Sequence, residues 1–183
     1  IFSDPICPWC YIGKARLDYA LETRPDHPFQ VQWHPFQLNP EMPPEGMDRR
    51  AYLEGKFGGQ QQAVKAYMPV IEEAAGSGVE INLEAIKRTP NTMNAHRVIH
   101  WAGLEGKQNA MVDRLFRAYF VDGRDIGEIE VLSDIASGAG LDGDMIARLL
   151  ESSADASDLL ARDMDARKKG VNSVPTFLIA NQH

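Results

Sequence analysis

The chain has 183 residues, with 19 lysines and arginines against 26 aspartates and glutamates, and its formal net charge at neutral pH is −7. Hydrophobic residues make up 44% of it and charged residues 25%, a balance typical of a folded domain and not of a disordered tail. An acidic chain is a poor nucleic acid binder, and no apolar run reaches the roughly 18 residues that cross a membrane. We therefore expect a soluble, compact domain that contacts neither nucleic acid nor membrane.

The first predicted elements are a short strand and a helix that begins at two cysteines. Residues 1–3 have the character of the end of a buried strand, and Asp4-Pro5 that of a loop leading into a helix. Pro8 suits a first helical turn, and apolar residues recur at helical spacing further on, at Leu17, Ala20 and Leu21. The sequence therefore predicts that Cys7 and Cys10 open a helix.

The two cysteines are the only ones in the chain and form a single Cys7-Pro8-Trp9-Cys10 unit. A disulfide between them closes almost no loop and would contribute little to stability, so the value of the pair must be chemical. One interpretation is half of a zinc site, with His96 and His100 at i and i+4 on a predicted helix as further ligands. The preferred interpretation is a dithiol/disulfide redox couple, because no second cysteine pair is present. We therefore expect no metal.

The position of the pair assigns roles to the two sulfurs. Unpaired N–H groups and the positive end of the helix dipole favour a thiolate at the start of a helix. Cys7, expected to be the more exposed of the two, is the predicted nucleophile, and Cys10 is the predicted resolving cysteine that attacks the mixed disulfide. Pro8 and Trp9 lie between the sulfurs and should influence the reduction potential. Buried sulfur atoms would contradict this interpretation.

A second strand is predicted by the alternation of apolar and polar residues over 29–34. A segment rich in proline and glycine follows over 35–59, where we expect a surface loop or a short helix. From about residue 60 to 170 the pattern is helical almost throughout. Pro69 should kink or start a helix in the first part. This part also carries an apolar face that we expect to be buried, comprising Val64, Tyr67, Met68 and Ile71.

Five more helices are predicted before strand character returns at 174–180. The first of them begins after Pro90-Asn91-Thr92, a typical start signal, and the third ends at Gly140. Asp142 can cap the fourth, and the fifth runs from about residue 153 to 170. The apolar stripes of these helices are best explained as a helical core.

The chain combines three features: Cys-Pro-Trp-Cys at a helix start, a long helical segment, and Val174-Pro175-Thr176-Phe177 at the far end. In this combination the sequence resembles the DsbA family of thioredoxin-fold proteins. More closely it resembles the FrnE-like branch, which is related to 2-hydroxychromene-2-carboxylate isomerases and kappa-class glutathione transferases. The resemblance covers nearly the whole chain, and its further residues are Ser3-Asp4, Phe36-Gln37-Leu38-Asn39-Pro40, Asn91-Thr92, Ala95-His96-Arg97, Leu115-Phe116-Arg117-Ala118-Tyr119-Phe120 and Gly170-Val171-Asn172-Ser173.

The resemblance implies an α/β, thioredoxin-like fold with a large all-helical insertion. The thioredoxin-like domain would comprise residues 1–35 and 171–183, and the helical insertion with its connecting segments residues 36–170. Relatives of this kind continue after the final apolar strand with a partner strand and a terminal helix. We expect these elements, and residues before Ile1, to lie outside this sequence.

The resemblance also implies a substrate site. It places a cis peptide bond between Val174 and Pro175 opposite the cysteine pair, where the proline keeps metals off the sulfurs. The Val174 backbone would then pair with an extended substrate. Trp9, Phe36 and Asn91 are the residues expected at the rim of the substrate groove.

One departure from the relatives bears on the activity. The isomerases and transferases typically carry a serine at the position of Cys7, where its hydroxyl binds or activates glutathione. The presence of both cysteines therefore favours a thiol–disulfide oxidoreductase or isomerase acting on protein thiols and disulfides, without a bound cofactor and with glutathione at most as a redox partner. A glutathione-dependent isomerase or transferase, and a chaperone-like or metal-binding module, are the alternatives.

The direction of exchange depends on how far the Cys7 thiolate is stabilised and on the recycling partner, neither of which the sequence identifies. A chain without structural disulfides is typical of the cytoplasm, which is the expected compartment. We expect the protein to act as a monomer or homodimer.

Overall fold

The computed structural model describes residues 1–179, and its first and last segments meet in a small sheet. Strand β1 (Phe2–Ser3) pairs in parallel with β2 (His34–Pro35). Phe2 also forms an antiparallel bridge with Thr176, in which the Phe2 N–H donates to the Thr176 carbonyl at 2.9 Å. Strand β1 therefore lies between β2 and the final segment, which brings the two ends of the described chain together.

Helices form most of the described chain, and a second small sheet lies among them. The sheet pairs β3 (Met47–Asp48) antiparallel with β4 (Arg88–Thr89). Within residues 1–179 no helix combines the length and hydrophobicity needed to span a bilayer. The predicted α/β arrangement with a large helical part is confirmed. The helices are α1 (Pro8–Glu22), α2 (Arg49–Phe57), α3 (Gln60–Gly76), α4 (Met93–Leu104), α5 (Gln108–Phe120), α6 (Ile129–Gly138), α7 (Gly143–Glu151) and α8 (Ala156–Lys168).

Local residues explain several helix boundaries. Asp142 accepts a hydrogen bond from the Met145 N–H at 3.0 Å and caps α7, as predicted. Asp48 caps α2 in the same way, through the Ala51 N–H at 2.9 Å. Gly58 ends α2 in the left-handed region with φ 78°, a conformation that glycine adopts without a steric penalty.

The main hydrophobic core joins α4, α5, α6 and α7 to the start of α1, where the two cysteines lie. Helix α4 packs against α5, α6, α7 and α8. The ring of Tyr11 stacks on those of Phe116 and Phe120, with centroid distances of 5.2 and 5.5 Å. This stacking fixes the first turns of α1 on α5. The same core cluster also contains Ile6, Cys7 and Cys10.

Three predicted elements differ from the structure. The strand predicted over 29–34 is reduced to its last residue, because β1 offers partners only to His34 and Pro35. Of the final strand, the described residues contain a single bridge at Thr176, and residue 180 lies outside them. Helix α3 runs through Pro69, which therefore does not start a helix. Pro69 is exposed, so water can reach the carbonyl group that lacks a donor.

The apolar face of α3 is also placed differently from the prediction. Val64, Met68 and Ile71 were expected in the core, but they are 59%, 55% and 42% exposed. The helix instead packs a neighbouring face against α1, where Val70 and Ala74 share a core cluster with Ile12 of α1. Ala63 of α3 is buried as well.

Candidate active site

The cysteine unit begins α1, as predicted. Cys7 precedes the first helical turn with an extended backbone (φ −88°, ψ 114°), and Pro8 occupies that turn. The Cys7 N–H donates to the Asp4 carbonyl at 2.9 Å, and the Cys7 carbonyl accepts from the Cys10 N–H at 3.1 Å. These bonds turn the chain sharply and place both cysteines at the N-terminal end of the helix.

Both cysteines are buried, which contradicts the expectation of accessible sulfur atoms, although Cys7 is still the slightly more exposed of the two. Cys7 is 3% exposed and Cys10 1%, and the two are not joined by a disulfide. The Cys7 Sγ lies 3.7 Å from the carbonyl oxygen of Val174. The nucleophile predicted from the sequence is thus covered by a segment from the far end of the chain. A rigid site of this kind would contradict the redox interpretation, which therefore requires that a substrate displace part of this cover to reach the sulfur.

A glycine lets the covering segment lie close to α1. The Val174–Pro175 peptide bond is cis, and a Cβ atom at Gly13 would lie 3.1 Å from Pro175 Cγ, which is tighter than ordinary van der Waals contact. The absence of a side chain at position 13 therefore gives the proline ring its place against the helix. Thr176, the next residue, is held by its bridge to β1. The predicted cysteine pair and the predicted proline segment thus form one site.

The two thiols differ in acidity. The pKa of Cys7 is lowered from 9.0, chiefly because the Cys10 thiol donates a hydrogen bond to the Cys7 sulfur. The backbone N–H groups of Cys10 and Trp9 also lower the pKa of Cys7, although neither caps the helix through a hydrogen bond to its sulfur. Burial raises the pKa of Cys7 and so acts against these groups. Burial and the hydrogen bond to Cys7 raise the pKa of Cys10 well above 9.0. Cys7 is therefore the more acidic thiol of the pair and Cys10 the less acidic.

A buried carboxyl group lies directly before the cysteine unit. Asp4 is 0% exposed, and it accepts hydrogen bonds from the Leu38 N–H at 2.7 Å, the Ile6 N–H at 3.3 Å and the Thr92 hydroxyl at 3.4 Å. Burial outweighs these bonds and raises the pKa of Asp4 to about 7. Once ionised, the Asp4 carboxylate raises the pKa of Cys7 and so opposes the thiolate.

The residues predicted at the groove rim have different surroundings. Trp9 is 40% exposed beside the cysteines. Phe36 is 2% exposed in a small core cluster, with the Arg167 guanidinium 4.1 Å from its ring centroid, so its expected position on an exposed rim is wrong. Asn91 donates from its side-chain amide to the Met42 carbonyl at 2.7 Å. This hydrogen bond connects the loop that contains Met42 to the segment just before α4. That Asn91 contacts substrate stays a prediction.

The two histidines considered as zinc ligands have separate surroundings. His96 is 4% exposed, and burial lowers its pKa to about 3. The Nδ1 atom of His100 lies 3.2 Å from the Arg162 guanidinium. Residues 1–179 contain no cluster of three or more His, Cys, Asp or Glu side chains suited to a metal ion. The zinc interpretation therefore finds no donor set in this part of the chain.

The sequence interpretation missed two residues of the site. Gly13 lies inside a helix, where glycine costs about 0.5–1 kcal/mol relative to alanine, and such a glycine signals the close approach of another backbone or side chain. Asp4 is a charged residue directly after a buried strand, which is a weaker signal. The site as a whole combines a thiol of lowered pKa, a partner thiol of raised pKa and a backbone carbonyl, an arrangement suited to thiol–disulfide exchange.

Comparisons with known proteins agree with this geometry. Uncharacterized protein YwbO of Bacillus subtilis (strain 168) is 28% identical over an alignment of 187 positions, which covers 99% of this chain and 86% of YwbO. The crystal structure of the probable DsbA oxidoreductase SCO1869 from Streptomyces coelicolor superposes with a TM-score of 0.84 at 31% identity, over 96% of this chain and 76% of that one. The cytosolic disulfide reductase DsbM from Pseudomonas aeruginosa has the same fold, with a TM-score of 0.70 at 23% identity over 98% of this chain and 83% of DsbM.

A family model spans the chain as well. The model of the DSBA-like thioredoxin domain matches residues 1–183. The match includes the cysteine unit at the start of α1 and the Val174–Pro175 segment that packs on it. Because the model covers the whole chain, the chain belongs to the DSBA-like thioredoxin domain family.

Proposed function

We propose that this protein is a thiol–disulfide oxidoreductase that acts on protein thiols and disulfides through Cys7 and Cys10. The observation that carries the proposal is the position of the Cys7 sulfur, at the start of α1 and 3.7 Å from the Val174 carbonyl. The lowered pKa of Cys7 and the raised pKa of Cys10 support the division of roles between them. Membership of a family of DsbA-like thiol oxidoreductases supports the reaction type.

In the reducing direction, the Cys7 thiolate attacks one sulfur of a substrate disulfide. A bond forms between Cys7 and that sulfur, the substrate S–S bond breaks, and the other substrate sulfur leaves as a thiolate. Cys10 then gives up its proton to the substrate thiolate already released and attacks the Cys7 sulfur, which breaks the mixed disulfide and releases the second substrate sulfur as a thiolate. The substrate gains two electrons and the Cys7–Cys10 pair loses two as its disulfide forms. Oxidation of a substrate dithiol is the reverse of these steps.

The backbone of Val174 is the proposed docking point for the substrate. Its carbonyl faces Cys7, and within residues 1–179 its N–H forms no backbone hydrogen bond. An extended peptide can pair with such a backbone segment in the manner of an added strand. Pairing with the substrate would draw the Val174 carbonyl away from Cys7 and expose the sulfur, and Trp9 would supply apolar surface beside it.

The proposed setting is the cytoplasm, where thiol pairs are kept reduced. Glutathione or a second dithiol protein would then reduce the Cys7–Cys10 disulfide after each turnover, and no bound cofactor is required. The protein is proposed to act as a monomer or homodimer. A net reducing or isomerising role fits this setting, and the reduction potential of the pair measured against glutathione decides between reduction and oxidation.

Insulin reduction and disulfide trapping in two matched variants test the proposal. Cys7→Ser should abolish insulin reduction, because the serine hydroxyl does not exchange with disulfides. Cys10→Ser should accumulate a mixed disulfide between Cys7 and the substrate, because the resolving sulfur is absent. Turnover of a glutathione-dependent isomerase substrate that survives Cys10→Ser would instead favour the isomerase or transferase alternative.

The burial of Cys7 adds a stricter test. In the native protein, the Cys7 thiol should react with an aromatic disulfide much faster than the whole chain unfolds, because only the Val174 segment has to move. The unfolding rate is measured in parallel by denaturant jumps. A Cys7 thiol that reacts only as fast as the whole chain unfolds would refute the proposed function.

A further inference from the structure

A groove lies between α2 and α3, and none of the cysteine-site residues lines it. Its volume is about 620 Å³, within the range of about 300–1,000 Å³ typical of small-molecule sites. The redox chemistry proposed for Cys7 makes no use of it. The walls are mainly apolar and include Leu53, Ala63, Val64, Met68, Ile71 and Leu83.

The apolar wall on α3 is open to solvent. Val64, Met68 and Ile71 recur on one face of the helix, and each is more than two-fifths exposed. The same helix is already anchored on α1 through Val70 and Ala74, so the fold does not depend on the exposed face. Contiguous apolar surface of this kind marks binding sites more often than chance exposure.

A buried cation lies at one end of the groove. Arg49, the first residue of α2, lines the groove and is 6% exposed. Its guanidinium donates to the Tyr119 hydroxyl and to the Tyr67 hydroxyl, both at 3.0 Å. Burial raises the pKa of Tyr119, so this phenol stays neutral and does not compensate the charge. No carboxylate of residues 1–179 lies within 4.0 Å of Arg49.

The other charged residues of the groove have partners or face solvent. Arg50 pairs with Glu54 at 2.7 Å, and the Asp48 carboxylate caps α2 through the Ala51 N–H. Lys87 donates to a backbone carbonyl nearby, and Glu72 is an exposed carboxylate. Arg49 therefore remains the buried charge without a counter-ion, and an unpaired buried charge is costly unless a ligand supplies one.

We propose that this groove binds an amphipathic carboxylate, with its apolar body along the exposed face of α3 and its carboxylate on the Arg49 guanidinium. A planar guanidinium can hold a carboxylate through two hydrogen bonds, and the two phenol groups keep it oriented. The apolar body of the ligand removes Val64, Met68 and Ile71 from water, which is favourable. Binding requires neither Cys7 nor Cys10 and is independent of the proposed redox function.

Calorimetry with two probes of equal length tests the proposal. Dodecanoate and dodecylammonium are titrated into the whole protein below the concentrations at which they form micelles. Dodecanoate should bind about tenfold more tightly or better, because only it pairs with Arg49. The preference should disappear in Arg49→Met and persist in Arg49→Lys. Equal binding of the two probes to the wild-type protein, or an unchanged preference in Arg49→Met, would overturn the proposal.

A second variant tests the groove without touching the buried arginine. Met68→Glu places a carboxylate on an exposed position in the groove, and Met164→Glu makes the same change on α8, where the methionine is 49% exposed and outside the groove. Met68→Glu should weaken dodecanoate binding about tenfold, because the apolar body of the ligand would have to cover a charged carboxylate without a partner, and Met164→Glu should leave it unchanged. Equal effects of the two variants would contradict the proposed site. Sedimentation gives a further test. If the wild-type protein sediments as a dimer and only Met68→Glu dissociates it, a second copy of the chain occupies the groove and the proposed carboxylate site is wrong.

Discussion

The cysteine site and the groove between α2 and α3 are opposite in character. At the first, the reactive side chains are almost inaccessible, with Cys7 3% exposed beneath the Val174 carbonyl. At the second, the apolar side chains of α3 are chemically inert and open to solvent, with Met68 55% exposed. The sequence patterns indicated the reverse in both places, since Cys7 was expected at the surface and Met68 in the core.

This difference shows that a sequence motif can identify reactive or apolar side chains without indicating whether solvent reaches them. The Cys-Pro-Trp-Cys unit determines which atoms react, but the atom that covers Cys7 belongs to a residue 167 positions further along the chain. Helical periodicity likewise identifies an apolar face on α3, but packing on α1 decides which face is buried. Both regions are therefore best tested by substitutions that distinguish a covered position from an exposed one.

The largest expected effect concerns acid stability near the cysteine site, where the buried His96 lies beside Ser3 and Pro5. The pKa of His96 falls from 6.5 to about 3 on folding because burial disfavours the charged ring. The contribution of neutral His96 to the free energy of unfolding is therefore complete above pH 6.5 and is lost as the pH falls from 6.5 towards 3. The loss amounts to about 1.4 kcal/mol for each pH unit.

Asp4 acts in the opposite direction over part of the same range. Its pKa rises from 3.8 to about 7 on folding, so its contribution is complete below pH 3.8 and is lost as the pH rises through about 7. The two groups should therefore nearly cancel between pH 3.8 and 6.5. In His96→Phe, the free energy of unfolding relative to the wild-type protein should grow steadily as the pH falls through this range. Urea titrations across the pH range measure it, and parallel curves for the two proteins would show that His96 is not buried as described.

A smaller effect distinguishes the two faces of α3 with one chemical change. Val70 is 3% exposed and packs in the cluster shared with α1, whereas Val64 is 59% exposed. Val70→Ala should cost about 2 kcal/mol in the free energy of unfolding, because it leaves a cavity. Val64→Ala should change it by less than about 0.5 kcal/mol. Denaturant midpoints at constant slope provide the measurement, and an equal cost at Val64 would mean that its face is covered in solution.

Local features were the ones that the sequence predicted well. The helix start at the cysteines and the cap at Asp142 depend on neighbouring residues and are confirmed. The surroundings of Asp4 could not be predicted, because its hydrogen-bond donors Leu38 and Thr92 are 34 and 88 positions away. The misplaced Phe36 has the same origin, since its burial comes from contacts with α8 and the segment that follows it.

The smallest expected effect concerns the acidity of Cys7, which depends in part on Asp4. Asp4 raises the pKa of Cys7 through the repulsion between its carboxylate and the thiolate, against the larger lowering by the Cys10 hydrogen bond. Asp4→Asn should therefore shift the midpoint of Cys7 alkylation to lower pH, by about one pH unit or less. A more stable thiolate also makes the Cys7–Cys10 disulfide a stronger oxidant.

The rate of Cys7 alkylation against pH in the Asp4→Asn protein is compared with that in Asp142→Asn. The control removes the same charge at the cap of α7, where asparagine caps as well as aspartate, and Asp142 is not among the groups that shift the pKa of Cys7. A lower midpoint in Asp4→Asn alone means that the charge of this buried carboxylate reduces the thiolate fraction of Cys7. A midpoint that is unchanged or higher would mean that Asp4 only holds the Leu38 and Ile6 backbone in place. The acidity of Cys7 would then depend on Cys10 and on the first turn of α1 alone.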